Sequence, residues 1–204
     1  RPGRIRPWSY EFDPAGLEAI IEQTRRMERL LDDLRQAIKA GAGWVEIRPA
    51  EVDLGQGAQV AAERSRILSR LHPIEVVIPA TPVIGQWDRD RLNQVLDNLI
   101  GNAQKHAPGG CAITITVQAT STTARLRVAD TGPGIPPGTL PHLFERFYRA
   151  DPARGAGGLG LGLYIVRMLV EAHGGRVWAE APPGGGAAIH VELPLPAAPH
   201  LPNG

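Results

Sequence analysis

The spacing of apolar residues divides the chain into two regimes. From Ala15 to about Ala40, Leu17, Ile20, Thr24, Met27, Leu31, Leu34 and Ile38 recur at intervals of three and four. That pattern predicts one long helix with a narrow heptad seam. Charged residues fill its other faces, which favours a helix in a dimer-forming bundle over a core helix of one globule. Gly41-Ala42-Gly43 ends it. Shorter elements follow. Trp44–Arg48 alternates as a strand, and Asp53 caps a helix running to about Leu71. Ile74–Ile78 and Pro82–Trp87 form two strands around a Pro-containing turn. Asp88 starts an amphipathic helix that Pro108-Gly109-Gly110 closes. Cys111–Thr120 and Thr123–Ala129 alternate as a hairpin. Residues 130–158 are rich in Gly and Pro, with one helical turn near Leu140–Phe144. A helix from about Gly160 to His173 precedes two last strands, Arg176–Ala181 and Ala187–Leu193. The expected fold is a two-layer α/β sandwich, with helices on one face of a mixed, mostly antiparallel sheet, preceded by the long helix. Residues 1–43, 44–196 and 197–204 are expected to be the helical appendage, the main domain and a disordered tail.

Composition narrows the function classes. The chain has 204 residues and a formal net charge of +1, which gives no case for general nucleic-acid binding. The single cysteine, Cys111, excludes an intramolecular disulfide. With scattered histidines it makes a zinc site a poor reading. No apolar run approaches the ~20 residues that span a bilayer, so the chain as given is expected to be soluble. It opens on Arg1-Pro2-Gly3-Arg4 without Met, and is expected to be a piece of something longer.

The chemistry concentrates in four motifs. Asn98 and Asn102 lie one turn apart on a predicted helix, with Lys105 three residues later and His106 beside it. Two carboxamides and an ammonium suit hydrated Mg²⁺ and the phosphates it bridges. Lys39 and Lys105 are the only lysines, so Lys105 stands out. Asp130-Thr-Gly132-Pro-Gly134-Ile135 follows a strand directly. Its carboxylate can accept from an adenine amino group, although a Gly-Pro turn with an Asx cap is an equally simple reading. Phe144-Glu-Arg-Phe147-Tyr-Arg149 holds two of the three Phe. It reads as an anchored lid with Arg149 near a terminal phosphate, or as a surface helix with two core-facing aromatics. Gly157-Gly158-Leu159-Gly160-Leu161-Gly162 opens a helix whose amides favour anions. It is neither a dinucleotide fingerprint nor a Walker loop. His173 is read as a helix C-cap favoured by the dipole, and His72, His142, His190 and His200 as structural or solvated.

The order and spacing of the four motifs resemble the catalytic ATP-binding domain of sensor histidine kinases, within the superfamily of gyrase-type, mismatch-repair and chaperone ATPases. The resemblance covers roughly residues 44–194. Residues 15–43 resemble the second helix of the family's dimerisation and phosphotransfer hairpin. The resemblance implies ATP and Mg²⁺ as cofactors, with Asn102 on the metal and Asn98 lining the phosphate region. Lys105, His106 and Arg149 approach the phosphates, and Asp130 reads adenine. Gly132, Gly134 and Ile135 shape the base pocket. Phe144 and Phe147 form the F box. Gly158, Leu159, Gly160, Leu161 and Gly162 form the second glycine box under a lid at about 148–158. Asn98, Lys105 and Arg149 are the implied catalytic residues. The implied partners are a response-regulator receiver domain and a second copy of the full-length protein, with no nucleic acid. The implied location is cytoplasmic, with any inner-membrane anchor of the parent lying upstream.

Two departures matter. Leu159 replaces a frequent Ser or Thr, which removes a hydroxyl contact. No His in the chain is followed by Glu or Asp, so the usual phosphoacceptor is missing and truncation upstream of Arg1 is the simplest account. Three other readings stand beside the kinase. A hydrolysing ATPase would keep a Glu where Asn98 stands. An anti-sigma-type serine kinase lacks the heptad helix and the Phe segment. A degenerate module would only bind nucleotide or dimerise.

Overall fold

A computed structural model describes residues 45–136, 138–149 and 159–196, together with Gly16–Glu18, Ile20, Ile21, Thr24 and Met27. Those N-terminal positions are helical, and Leu17, Ile20, Ile21 and Met27 are exposed. The rest of the predicted seam (Leu31, Leu34 and Ile38) and the tail at 197–204 lie outside the described residues.

Strand β1 (Ala50–Asp53) leads into helix α1 (Leu54–Leu68), then β2 (Ile74–Val77) and β3 (Ile84–Trp87). Helix α2 (Arg89–His106) carries the two Asn, and β4 (Ile113–Ala119) and β5 (Thr123–Asp130) follow. After a 3₁₀ turn at Leu140–His142 come helix α3 (Gly162–Ala172), β6 (Arg176–Glu180) and β7 (Ala187–Pro194). Five strands form one sheet in the order β2-β4-β5-β7-β6; β1 and β3 pair separately. Only β2 and β4 run parallel among these pairs. The mixed, mostly antiparallel sandwich is the expected fold.

Both long helices start where an Asp can cap them. The Asp53 carboxylate accepts from the Gly55 and Gln56 amides. The Asp88 carboxylate accepts from the Asp90 and Arg91 amides. Each cap contributes about 1 kcal/mol by satisfying orphan N–H groups. α2 buries Leu92, Val95, Leu96, Leu99, Ile100 and Ala103, a stripe at helical spacing. It meets the inward row of β5, with Leu126 and Val128, while Ile113, Ile115 and Val117 of β4 lie in the same core on the side of α1. The opposite face of the sheet is polar. There Glu192 accepts from Arg125 and Arg176, both at 2.8 Å.

The structure corrects two expectations and adds one feature of the topology. Residues 45–49 form no strand. The Arg48 amide donates to the Asp88 carboxylate at 2.9 Å, and Pro49 has no N–H, so pairing starts at Ala50 opposite Trp87. The helix predicted to reach Leu71 stops at Leu68, because Ser69 turns extended at φ −149°. β2 and β3 are neighbours in sequence but join different sheets, with Pro79 and Pro82 in the connection between them.

Candidate functional site

Three elements converge at one end of the α-layer. The side chains of Asn98 and Asn102 are both half-buried on α2. A Cβ placed on Gly162, the first residue of α3, would sit 3.5 Å from Asn98 Oδ1. The Asn face of α2 therefore looks directly at the N-terminus of α3, where free amides and the helix dipole favour anions. Lys105 and His106 stand in the last turn of α2.

Asp130 closes β5, and its carboxylate accepts from the Gly132 amide at 2.8 Å. Burial pushes the Asp130 carboxyl above its ordinary range, while the Gly132 and Ala187 amides and the charge of His106 pull it back only partly. A part-desolvated carboxylate of this kind makes a strong hydrogen bond with an amino donor. Gly132 has no room for a side chain: its Cβ would lie 2.8 Å from Asp130 Oδ1. Gly134, at φ +82°, would press within 3.0 Å of the Gly186 carbonyl. Ile135 is half-buried beside it.

The Phe segment and the glycine box are tied together. The Phe147 amide donates to the Gly160 carbonyl at 3.1 Å, and a Cβ on Gly160 would meet the Tyr148 carbonyl at 2.6 Å. Phe144 packs against the core. Phe147 does not: it is 50% exposed, under the Arg146 guanidinium, and its backbone is left-handed at φ 65°. The two aromatics therefore differ, and Phe147 does not fit the reading of a surface helix with two core-facing aromatics. The Leu161 side chain is sealed in the core, so only its backbone can face a ligand, whereas Leu159 is exposed. Gly158 and most of the lid span at 148–158 lie outside the described residues.

Charge gathers between the two halves of the site. His106 is exposed at its edge, yet its pKa falls below the ordinary 6.5: desolvation is the largest cause, and the cations Lys105 and Arg149 add to it against Asp130. Lys105, His106, Arg149 and Asp130 thus share one electrostatic neighbourhood. Cys111 lies behind it, buried against His72 at 3.5 Å. Burial and the Asp130 charge raise its thiol pKa, which keeps it protonated and unreactive.

One wall was not read from the sequence. Gly184, Gly185 and Gly186, all at positive φ, bring the β6–β7 connection against Asp130. A Cβ on Gly186 would fall 2.0 Å from the Asp130 carbonyl. The signal was available as three consecutive glycines, but a hairpin connection accounts for such a run without any ligand. A shallow cavity of about 100 Å³, lined in part by Asp53, Gly55, Ile78 and Val83, lies at the β2–β3 connection. It is too small for a nucleotide, whose sites run to roughly 300 Å³ or more.

The chain is similar to known proteins. Residues 87–197 match the family described as histidine kinase-, DNA gyrase B-, and HSP90-like ATPase. The signal transduction histidine-protein kinase BaeS of Escherichia coli (strain K12) is 38% identical over 190 residues, which are 91% of this chain and 40% of BaeS. The mycobacterial sensor histidine kinase MprB superposes with a TM-score of 0.65 at 35% identity, over 71% of this chain and 97% of that one. Full-length ShkA, solved in complex with AMPPNP, gives a TM-score of 0.75 at 31% identity, over 91% of this chain and 40% of ShkA. The chain belongs to the histidine kinase-, DNA gyrase B- and HSP90-like ATPase family. Within it, the domain is the catalytic ATP-binding domain of a sensor histidine kinase. The chain spans 40% of the length of BaeS.

Proposed function

We propose that this chain holds Mg-ATP as the phosphoryl donor of a two-component sensor kinase. The observation that carries the reading is that Asn98 faces the start of α3, where a Cβ on Gly162 would stand 3.5 Å from its Oδ1, with Asp130, Lys105 and Arg149 gathered around His106. Asp130 accepts from the adenine amino group. The α3 amides and Lys105 bind the phosphates, and Arg149 meets charge developing on the terminal phosphoryl group. The donor set fits Mg²⁺, which takes few protein ligands and keeps phosphate and water oxygens; Asn102 would hold it. The bound ion supplies charge neutralisation between the phosphates.

Asn98 favours transfer over hydrolysis. A carboxamide has no basic lone pair at neutral pH and cannot activate water. The acceptor is a His elsewhere in the parent protein, from which the phosphoryl group passes to an Asp of a response-regulator receiver domain. The heptad segment at 15–43 belongs to a dimerisation hairpin of that parent. The working location is the cytoplasm, with any membrane anchor outside this chain; no described helix is long and apolar enough to cross a membrane.

The test is incubation with γ-labelled ATP and Mg²⁺, alone and with a His-bearing hairpin from a related kinase. The expected result is no acid-labile label on this chain alone and label on the added hairpin. Label on this chain, or rapid phosphate release without transfer, would contradict the reading.

A further inference from the structure

The Asn-bearing helix and the helix after the glycine box are joined, far from the nucleotide cleft, by a buried histidine. His173 is the C-cap of α3. Its Nδ1 donates to the Leu169 carbonyl at 2.7 Å, within its own helix. Its Nε2 accepts from the Asp88 amide at 3.0 Å, so that nitrogen stands unprotonated. The ring is the C-cap expected from the sequence, and it also bridges two backbone groups. Asp88 is itself the N-cap of α2, and its carboxylate also accepts from the Arg48 amide at 2.9 Å. The first peptide of α2 is therefore gripped on both sides.

This bridge and the phosphate cleft sit at opposite ends of one antiparallel helix pair. Ten residues, about 15 Å of helix, separate Asp88 from Asn98, and a similar length separates His173 from Gly162. A slide or tilt of α2 against α3 changes the Asn98–Gly162 gap unless the far end is fixed. We propose that His173 is a positioning residue for the nucleotide site: it sets that gap by pinning the start of α2 to the end of α3. The inference rests on the reading of the gap as the phosphate site.

The two halves of the bridge can be separated chemically. Gln at position 173 reaches about as far as Nε2 and can accept from the Asp88 amide. Asn is shorter; it keeps a donor near the Leu169 carbonyl but cannot reach Asp88. The experiment is calorimetric titration of the whole chain with Mg-ATP, comparing wild type with His173→Gln, His173→Asn and Val117→Ala. The last is a core loss on β4, which packs against α1. Melting temperatures are recorded in parallel. His173→Asn is expected to weaken ATP binding about tenfold, a usual size for coupling between sites. His173→Gln should stay within about threefold of wild type, and Val117→Ala should lose melting temperature without losing affinity. In the wild-type chain, exchange of the Asp88 amide should slow when Mg-ATP binds, whether or not the Asn variant folds. Equal losses in the Gln and Asn variants would overturn the inference, as would an Asn variant that binds like wild type or an Asp88 amide indifferent to ATP. A wild-type chain that binds no Mg-ATP overturns the underlying reading as well.

Discussion

The two ends of the cleft are built by different means. The proposed base end is closely packed glycine backbone: a Cβ on Gly186 would meet the Asp130 carbonyl at 2.0 Å, and one on Gly134 would meet the Gly186 carbonyl at 3.0 Å. The proposed phosphate end is side chain facing helix terminus: a Cβ on Gly162 would stand at ordinary contact distance from Asn98 Oδ1, and one on Gly101 would meet nothing within 4 Å. Shape is therefore fixed at the base end and charge is arranged at the phosphate end. Substitutions should fail differently in the two places: sterically in the first, electrostatically in the second.

The largest effect expected is that of Gly186→Ala. The added Cβ meets the Asp130 carbonyl at 2.0 Å on a backbone at φ +81°. The loss should be at least ~3 kcal/mol, roughly 10 °C of melting temperature, with ATP binding lost in parallel. A chain that melts normally would break the contrast. Asp130→Asn should do the reverse. It removes a charge-assisted acceptor, so ATP affinity should fall about 30-fold. It also removes a carboxylate whose burial disfavours the ionised form, so melting at neutral pH should hold or rise. Asn102→Ala comes next. About tenfold weaker ATP binding is expected in Mg²⁺ and little change in a chelator, because the side chain acts through the metal. Equal losses in both buffers would move Asn102 from the metal to the nucleotide.

The smallest effect is that of pH. His106 and His190 both have folded pKa values below their ordinary 6.5. Below about 6.5 the unfolded chain therefore holds more protons than the folded one. The stability these residues contribute is complete above that value and is lost as pH falls through the folded pKa values. Bound ATP reverses the sign at His106, since the polyanion favours the imidazolium. ATP affinity should thus rise modestly over the pH range in which stability falls. A His106→Gln variant should flatten the affinity profile and leave the part due to His190.

The contrast also explains what could be read from the sequence. The Asn-bearing helix was legible because its information is local. Asn98, Asn102 and Lys105 share one helix whose cap at Asp88 and apolar stripe announce it. The β4–β5 hairpin and Asp130 at its end were legible for the same reason, through strict alternation. Contacts between distant segments were not. Nothing in Ile74–Val77 says that it lies parallel to β4, and nothing in Ile84–Trp87 says that it leaves the main sheet for β1. Gly184–Gly186 went unread because its need for glycine comes from Asp130, more than fifty residues earlier. At position 173 the cap was legible and the bridge was not, because its second partner, Asp88, is 85 residues away.

The central claim is that one cleft reads adenine through Asp130 and phosphates through the α2–α3 gap. Its most direct test is titration of this chain with ATP and GTP in Mg²⁺, repeated with Asp130→Asn. GTP carries a carbonyl where ATP carries the amino group, so only the base end can tell the two apart. The account predicts saturable ATP binding, GTP weaker by at least about tenfold, and a difference that nearly vanishes in the variant. Equal binding of the two nucleotides by the wild-type chain, or a preference that survives Asp130→Asn, would contradict it.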